Sequence, residues 1–281
     1  MATNYTPDDL KDTLGEVLID SIVLNNLLQD LLKERGSTAR SVDEVVDPGD
    51  ITRGTDVVFI EQEEDSTIDL GRILDSKTIK DLNALIFTTD TSVDLTLPKT
   101  FGGTVIFGAG DDALEHVRGG KSVTVDAGDG NDTVATGSGK DTVFAGDGDD
   151  SIVTGGGKDS VVGGAGDDTI ETGGGKDTIV TGSGSDSVDA GKGNDLIVVQ
   201  SGGDPGDSII EGGRGKDTLD LSNVVIDSVE VVNARQGMVT ITLDDGSTLD
   251  VSHVEKFIVG DGHGGSITLT GVNSLDNLFN L

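Results

Sequence analysis

The stretch that decides the fold is residues 127–198, which read AGDGNDTVA TGSGKDTVF AGDGDDSIV TGGGKDSVV GGAGDDTIE TGGGKDTIV TGSGSDSVD AGKGNDLIV. These are eight unbroken nonamers with Gly at positions 2 and 4, Asp at position 6 and an aliphatic residue at position 8. The glycines permit positive φ and a tight turn, and the residues after the Asp favour a brief strand. One apolar side chain per nonamer cannot stabilise an isolated unit, so the sequence predicts stacked units.

Two nonamers make one coil of turn, strand, turn and strand, which gives a period of 18 residues. One predicted sheet has the inward ladder Val134, Ile152, Ile170 and Val188, and the other has Val143, Val161, Ile179 and Ile197. This core is thin and entirely aliphatic, so something besides apolar burial must hold the turns. An acidic, Gly-rich disordered linker is the alternative, but a linker has no reason to keep aliphatic residues on a nine-residue register.

The nonamer resembles the RTX calcium-binding repeat, written G-G-x-G-x-D-x-U-x. The resemblance implies an all-β-dominated fold, a parallel β-roll, with Ca²⁺ lodged between consecutive turns on the same side. Carboxylate and carbonyl oxygens suit this hard cation, and roughly six or more ions are expected. Residues 127–198 carry fourteen acidic residues and four lysines, a net charge of −10 that such ions would nearly neutralise.

The expected ligands are the position-6 aspartates, several position-5 side chains and turn carbonyls. On this resemblance the side-chain ligands are Asp112, Asn131, Asp132, Asp141, Asp149, Asp150, Asp159, Asp167, Asp168, Asp177, Asp186, Asn194, Asp195 and Asp217. Carbonyl ligands are expected from turn residues such as Gly128, Gly130, Gly137, Gly139, Gly146, Gly148, Gly155, Gly157, Gly164, Gly166, Gly173 and Gly175.

Position 9 differs between the two predicted sheets. The sheet that follows the turns with Lys140, Lys158 and Lys176 points Phe144, Val162, Val180 and Val198 outward. Such an apolar stripe is unusual on a solvated face. We therefore expect it to be covered, by a flanking segment or by another copy of the chain; isolated exposed valines are the alternative.

Composition narrows the function. The 281 residues carry a net charge of −33, which argues against nucleic acid and anionic membrane as partners. Without Cys there is no disulfide, thiol nucleophile or zinc–thiolate cluster, and the histidines His116, His253 and His263 are scattered. Only about 100 residues precede the repeats, which leaves little room for an active site. The sequence therefore predicts a protein that is not an enzyme.

The N-terminal stretch 1–35 predicts an amphipathic helix. Thr6 and Pro7 are typical of a helix start and Gly36 of its end. Its wide apolar face, Leu10, Leu14, Val17, Leu24, Leu28 and Leu31 among others, must be buried. It would cap one end of the solenoid or pair with another copy; an acidic polar side makes a membrane-surface role a minor third possibility.

The remaining stretches are expected as flanks of the roll. Residues 36–50 favour a linker, and residues 51–106 an irregular β-rich cap with a short helix near Thr78–Leu85. The roll is expected over 107–220, and residues 221–281 form a β-rich cap. Their last residues are compatible with the uncleaved signal for type I secretion that the resemblance implies for a Gram-negative bacterium. The resulting prediction is a secreted, calcium-dependent structural or adhesive protein; a monomeric glycan- or host-surface-binding module and a membrane-active effector are the alternatives.

Overall fold

The chain forms a parallel β-solenoid, in which two long sheets enclose one continuous core. The computed structural model describes residues 42–45, 57–60, 65–73, 76–87, 90–116, 120–200, 207–233, 237–260 and 265–272. The predicted N-terminal helix and secretion signal lie outside the described residues.

The elements before the regular repeats are short strands and two short helices. The strands are β1 (Val42–Val45), β2 (Val57–Ile60), β3 (Ser66–Asp69), β4 (Ala84–Phe87), β5 (Val93–Leu97), β6 (Thr104–Ile106) and β7 (Ala113–His116). The helices are α1 (Leu70–Ile73) and α2 (Ser76–Asp81).

The repeats give a regular alternation of strands. They are β8 (Thr124–Asp129), β9 (Thr133–Ala135), β10 (Ser138–Gly139), β11 (Thr142–Asp147), β12 (Ser151–Val153), β13 (Gly156–Gly157), β14 (Ser160–Ala165), β15 (Thr169–Glu171), β16 (Gly174–Gly175), β17 (Thr178–Ser183), β18 (Ser187–Asp189), β19 (Lys192–Gly193) and β20 (Leu196–Val198). The C-terminal strands are β21 (Ser208–Glu211), β22 (Arg214–Gly215), β23 (Thr218–Leu221), β24 (Ile226–Asn233), β25 (Met238–Leu243), β26 (Thr248–Ser252), β27 (Lys256–Gly260) and β28 (Ser266–Thr270).

The described strands form three sheets. Sheet A has the order β1-β2-β4-β6-β8-β11-β14-β17-β20-β23-β27-β28, and sheet B, opposite it, the order β24-β25-β26-β21-β18-β15-β12-β9-β7-β5-β3. Sheet C, with the order β10-β13-β16-β19-β22, lines one row of turns. All pairs are parallel except β24–β25, β25–β26 and β27–β28, which form antiparallel hairpins at the C-terminal end.

The predicted period and inward ladders are confirmed. Val143 pairs with Val161 in sheet A, and Ile152 pairs with Ile170 in sheet B, each 18 residues apart. The eight aliphatic residues at position 8 are at most 2% exposed and belong to the same core. The stacking that the single apolar position requires is therefore present in every regular coil.

Bulkier side chains fill the core toward the N-terminal end. Phe87 and Phe107 stack with ring centroids 5.1 Å apart, and Phe101 is also fully buried. These aromatic rings replace the single aliphatic residue of the regular coils, and they allow longer, less regular coils to close around the same axis.

The N-terminal flank differs from the sequence-based expectation in two places. The helix expected near Thr78–Leu85 ends at Asp81, because Leu85 and Phe87 are required in the core as part of strand β4. Within the stretch expected as a linker, β1 pairs in parallel with β2. The strands of residues 57–106 continue both sheets of the roll, so this flank is an irregular beginning of the solenoid itself.

Candidate metal-binding turns

The position-6 aspartates form two straight rows along the solenoid. We call them row 1 and row 2; every member is at most 3% exposed. Row 1, before the strands of sheet B, contains Asp112, Asp132, Asp150, Asp168 and Asp186, and row 2, before the strands of sheet A, contains Asp141, Asp159, Asp177, Asp195 and Asp217. Stacking of identical coils places successive carboxylates about one strand spacing, ~4.8 Å, apart.

One oxygen of each row carboxylate is used by the backbone. The N–H of Asp132 donates to Oδ1 of Asp150, and the N–H of Asp141 donates to Oδ1 of Asp159. Along both rows these donor–acceptor distances lie between 2.7 and 3.1 Å. Each aspartate therefore fixes the turn of the preceding coil, which holds its own carboxylate in a defined orientation.

The second oxygen is buried without such a partner. Within the described part of the chain, Oδ2 accepts no hydrogen bond in Asp132, Asp141, Asp150, Asp159, Asp168, Asp177, Asp195 and Asp217. Buried polar atoms are hydrogen-bonded in the large majority of cases. Eight orphaned oxygens at the same position of the repeat therefore indicate that this position is built for a ligand outside the polypeptide.

Burial shifts the protonation of these carboxyls. Desolvation raises the pKa of Asp132 to about 8 and the pKa of Asp168 to about 7, against the lowering effect of the backbone N–H. The same cause raises the pKa to about 6 in Asp150, Asp159, Asp186 and Asp195. Ionisation in these turns is unfavourable unless a cation compensates the charge.

The glycines leave room for backbone oxygens in the turns. Gly146 has φ of 120°, and a Cβ there would overlap the carbonyl oxygen of Gly128 in the preceding coil. At Gly157 a Cβ would overlap the carbonyl oxygen of Gly139 and lie 3.0 Å from Oδ1 of Asp159. Glycine is therefore required where carbonyl oxygens of adjacent coils approach each other beside the carboxylate.

This set of oxygen atoms fits a calcium site in which the backbone supplies most of the ligands. Among the described residues, no three acidic or histidine side chains converge on one point. Each turn offers a carboxylate oxygen and carbonyl oxygens, and calcium accepts six to eight such ligands in flexible geometry. Zinc and other metals that prefer nitrogen or sulfur ligands are disfavoured by the same set.

The position-5 side chains lie in the same turns but on the solvent side. Asn131, Asp149 and Asp167 are exposed, and their Oδ1 atoms accept a backbone N–H from the next coil at 2.7–2.8 Å. In row 2, Asn194 accepts the N–H of Lys216 at 2.9 Å. Their role as calcium ligands stays a prediction.

Both rows continue into flanking coils. Ser208 occupies position 6 after a four-residue insertion, and its Oγ accepts the N–H of Asp186 at 2.9 Å. Glu255 ends row 2 by accepting the N–H of Asp217 at 2.8 Å. At the other end of row 2, Val123 stands in place of an Asp and donates its N–H to Asp141. Ser208 and Glu255 were missed because neither fits the nine-residue spacing.

Comparison with known families agrees with this geometry. Residues 126–161, 162–197, 171–204 and 203–223 match the family model of the RTX calcium-binding nonapeptide repeat, in four copies. No curated protein matches the chain. Among the described residues there is no helix long and apolar enough to cross a membrane. The period, the glycine turns, the buried aspartates and the family match together identify residues 126–223 as RTX calcium-binding nonapeptide repeats folded into a β-solenoid.

Proposed function

We propose that this protein is secreted and folds on calcium binding, and that it has a structural or adhesive role in a surface layer, an extracellular fibre or a biofilm matrix. The observation that carries the calcium-dependent part is the repeated orphaned Oδ2 of the buried aspartates. Where calcium is scarce, these carboxylates oppose the fold; where it is abundant, the ions replace the lost hydration and stabilise the coils.

Two neighbouring substitutions test the folding switch. Asp159→Ala removes a candidate ligand and leaves the N–H of Asp141 without its acceptor. We expect a higher calcium midpoint for folding, measured by circular dichroism, and less bound calcium, measured by mass spectrometry of the dialysed protein. Lys158→Ala is the matched control, because Lys158 is exposed in the same turn. Equal midpoints for the two variants would contradict the proposal.

Association of copies is the second part of the proposal. Phe144, Val162, Val180 and Val198 form one column on the outer face of sheet A and are half-buried. On sheet B the corresponding column contains the exposed Glu171 and Asp189. This difference supports association through sheet A; the predicted N-terminal helix is a second candidate surface for association.

Molar mass by size-exclusion chromatography with light scattering tests association. We expect calcium to raise the mass well above that of one chain, and the double variant Val162→Asp/Val180→Asp to stay monomeric while it still folds. The matched control is the double variant Glu171→Gln/Asp189→Asn on the opposite face. A wild-type protein that compacts with calcium at constant monomer mass would contradict a role in assembly.

A lack of enzymatic activity is also part of the proposal. The buried carboxylates stand in two linear rows along the repeats, and in the described part of the chain they do not converge with histidine into an acid–base cluster. Residues of this kind in such rows suit ion binding. The resemblance of the repeats to those of secreted RTX proteins supports export by type I secretion as part of the proposal.

A groove favours a second candidate, a monomeric binding module for a polysaccharide. The groove has a volume of about 790 Å³ and a floor of glycines, between the row Glu171, Asp189 and Glu211 and the row Lys192 and Arg214. Hydroxyl groups of a linear glycan can bind both carboxylates and cations along such a repeat. Saturable glycan binding that needs calcium and is lost in Asp189→Ala would favour this candidate.

A further inference from the structure

The basic residues of the roll lie on one side of it. Residues 127–217 contain six, all exposed and all at position 3 or 5 of the turns that hold row 2. We call them the basic rim: Lys140, Lys158, Lys176, Lys192, Arg214 and Lys216. Positions 1 to 5 of these turns contain no acidic residue. A chain with a net charge of −33 therefore carries a positive strip along one row of turns.

The turns that hold row 1 have the opposite composition. Within residues 127–186 their positions 1 to 5 contain no basic residue. Positions 3 and 5 hold four exposed acidic residues, which we call the acidic rim: Asp129, Asp147, Asp149 and Asp167. Part of this rim is fixed by the backbone, since the N–H of Asp167 donates to Oδ1 of Asp149 at 2.8 Å. Two strips of opposite charge thus lie on opposite sides of the roll.

Both rims have the same repeat distance. Lys192 pairs with Arg214 in sheet C, and Asp129 pairs with Asp147 in sheet A. Successive coils therefore place equivalent charges about one strand spacing, ~4.8 Å, apart on both sides of the roll. Because the spacing is equal, the basic rim of one copy can lie along the acidic rim of another with several opposite charges facing each other at once.

The basic rim is not neutralised within its own molecule. In the ranges that the structure describes, the ion pairs are Arg72 with Asp69 and His253 with Glu211, and neither involves a rim residue. The carboxylates of row 2 beside the rim are buried, and calcium in the turns offsets their charge. The exposed side chains of the basic rim are then the charges that face a partner.

We propose that the basic rim of one copy binds the acidic rim of the next and so joins copies side by side. This contact rests on the association through sheet A proposed above. The apolar column of sheet A brings the same surface of two copies together, so that contact closes at two chains. A contact between two different rims is heterologous and continues from copy to copy. It needs calcium, because the rims are in line only when the coils are stacked.

A single rim contact is too small to hold two chains together. The basic rim spans the five strands of sheet C, or ~20 Å, exposed ion pairs contribute little each, and a narrow strip buries less area than a stable interface needs. Two copies joined through sheet A present two basic and two acidic rims. Neighbouring pairs therefore meet through two rim contacts at once and gain avidity. The monomer expected for Val162→Asp/Val180→Asp follows, although its rims are intact.

Reversal of the charges of one rim at a time tests this contact. The basic-rim variant is Lys140→Glu/Lys158→Glu/Lys176→Glu/Lys192→Glu, and the same four positions changed to Gln replace it if it does not fold with calcium. The acidic-rim variant is Asp129→Lys/Asp147→Lys/Asp149→Asn/Asp167→Asn. Asparagine is used at position 5 because Asn131 already accepts a backbone N–H there. The control, with the same change of net charge as the acidic-rim variant, is Asp227→Lys/Glu230→Lys/Asp244→Lys, at exposed positions of the C-terminal hairpin.

The measurement is molar mass by light scattering in calcium, after circular dichroism has shown that each variant folds. We expect the wild type and the control to exceed the mass of two chains at low salt and to fall to two chains at high salt, which screens exposed charges. Each rim variant alone should stop at two chains. A mixture of the two reversed variants should exceed two chains again, because their altered rims are complementary.

Three results would overturn the proposal. Rim variants that assemble as far as the wild type would do so and leave association through sheet A standing. A wild type that stops at two chains, and grows only when a linear polyuronate is added, would make an acidic polysaccharide the partner of the basic rim. A wild type with the mass of one chain would contradict association through sheet A and the rim contact together.

Discussion

Without calcium, folding should depend on pH, because the aspartate carboxyls of rows 1 and 2 are buried. In the calcium-free fold, the pKa of Asp150, Asp159, Asp186 and Asp195 is raised from 3.8 to about 6. The folded chain therefore binds protons more tightly than the unfolded chain does. The stability that protonation of these four groups provides is complete below about pH 4 and is lost as the pH rises from there through about 6.

The free-energy cost of ionising the buried carboxyls decides whether the calcium-free roll folds at neutral pH. A shift from 3.8 to about 6, as in Asp150, corresponds to about 3 kcal/mol for the ionised carboxylate. Half of this value, to allow for water entering the turns, gives about 6 kcal/mol over the four carboxyls together. A whole domain is stable by only about 5–15 kcal/mol, so the calcium-free roll should be unfolded at pH 7.5 and recover strand structure near pH 4.5.

The measurement is circular dichroism in chelator between pH 4 and 8. Screening by 0.5 M salt should not restore the fold at pH 7.5, because salt weakens repulsion between exposed charges but not the cost of burying them. Asp132→Asn removes the carboxyl with the pKa of about 8 and should shift folding to higher pH. Asp189→Asn removes an exposed charge from sheet B and should leave the pH dependence of folding unchanged. A chelated chain that is equally folded at pH 4.5 and pH 8 would refute the reasoning.

Two further predictions concern the turns. Gly146→Ala should lower the free energy of unfolding of the calcium-bound fold in urea by at least about 2 kcal/mol. The reason is that φ is 120° and the new Cβ would overlap the carbonyl oxygen of Gly128. Gly174→Ala, where a Cβ meets nothing within 4 Å, should change the free energy of unfolding far less. Ser208→Asp should extend row 1 by one carboxylate, so that dialysed protein retains more calcium and the chelated chain unfolds at lower pH; unchanged calcium content would contradict a ligand role for position 6.

The regular coils could be predicted from sequence because one aliphatic residue and one Asp recur every nine residues. The spacing alone gave the correct partners, such as Val161 for Val143. The N-terminal coils could not be predicted in this way, since their pairing distances vary: Val57 pairs with Ala84, but Ala84 pairs with Thr104. There, stacked phenylalanines close the core, and bulky side chains impose no fixed number of residues on a coil.

The aspartates of the candidate site could be predicted from the sequence, but the residues that end the two rows could not. Ser208 follows an insertion and has a hydroxyl where the repeat has a carboxylate, so only its place in the three-dimensional row identifies it. Glu255 reaches the same hydrogen-bonding role from outside any repeat. Both side chains accept a backbone N–H, and a serine hydroxyl or a glutamate carboxylate can accept it as well as an aspartate carboxylate can.

The two rows are not electrostatically equivalent, and the difference follows from residues beside them. In row 1, Asp149 raises the pKa of Asp150 and Asp168, in addition to the effect of burial. In row 2, the corresponding position holds exposed lysines such as Lys158.

Row 1 therefore concentrates more negative charge around each turn, so its ionised state needs a cation more strongly. In row 2, the lysines at position 5 supply positive charge beside the same turns. Because every coil contributes one turn to each row, a coil cannot close on the row 2 side without also closing on the row 1 side. We therefore expect row 1 to set the calcium requirement of the whole roll, and the chain to respond to calcium in a single cooperative step.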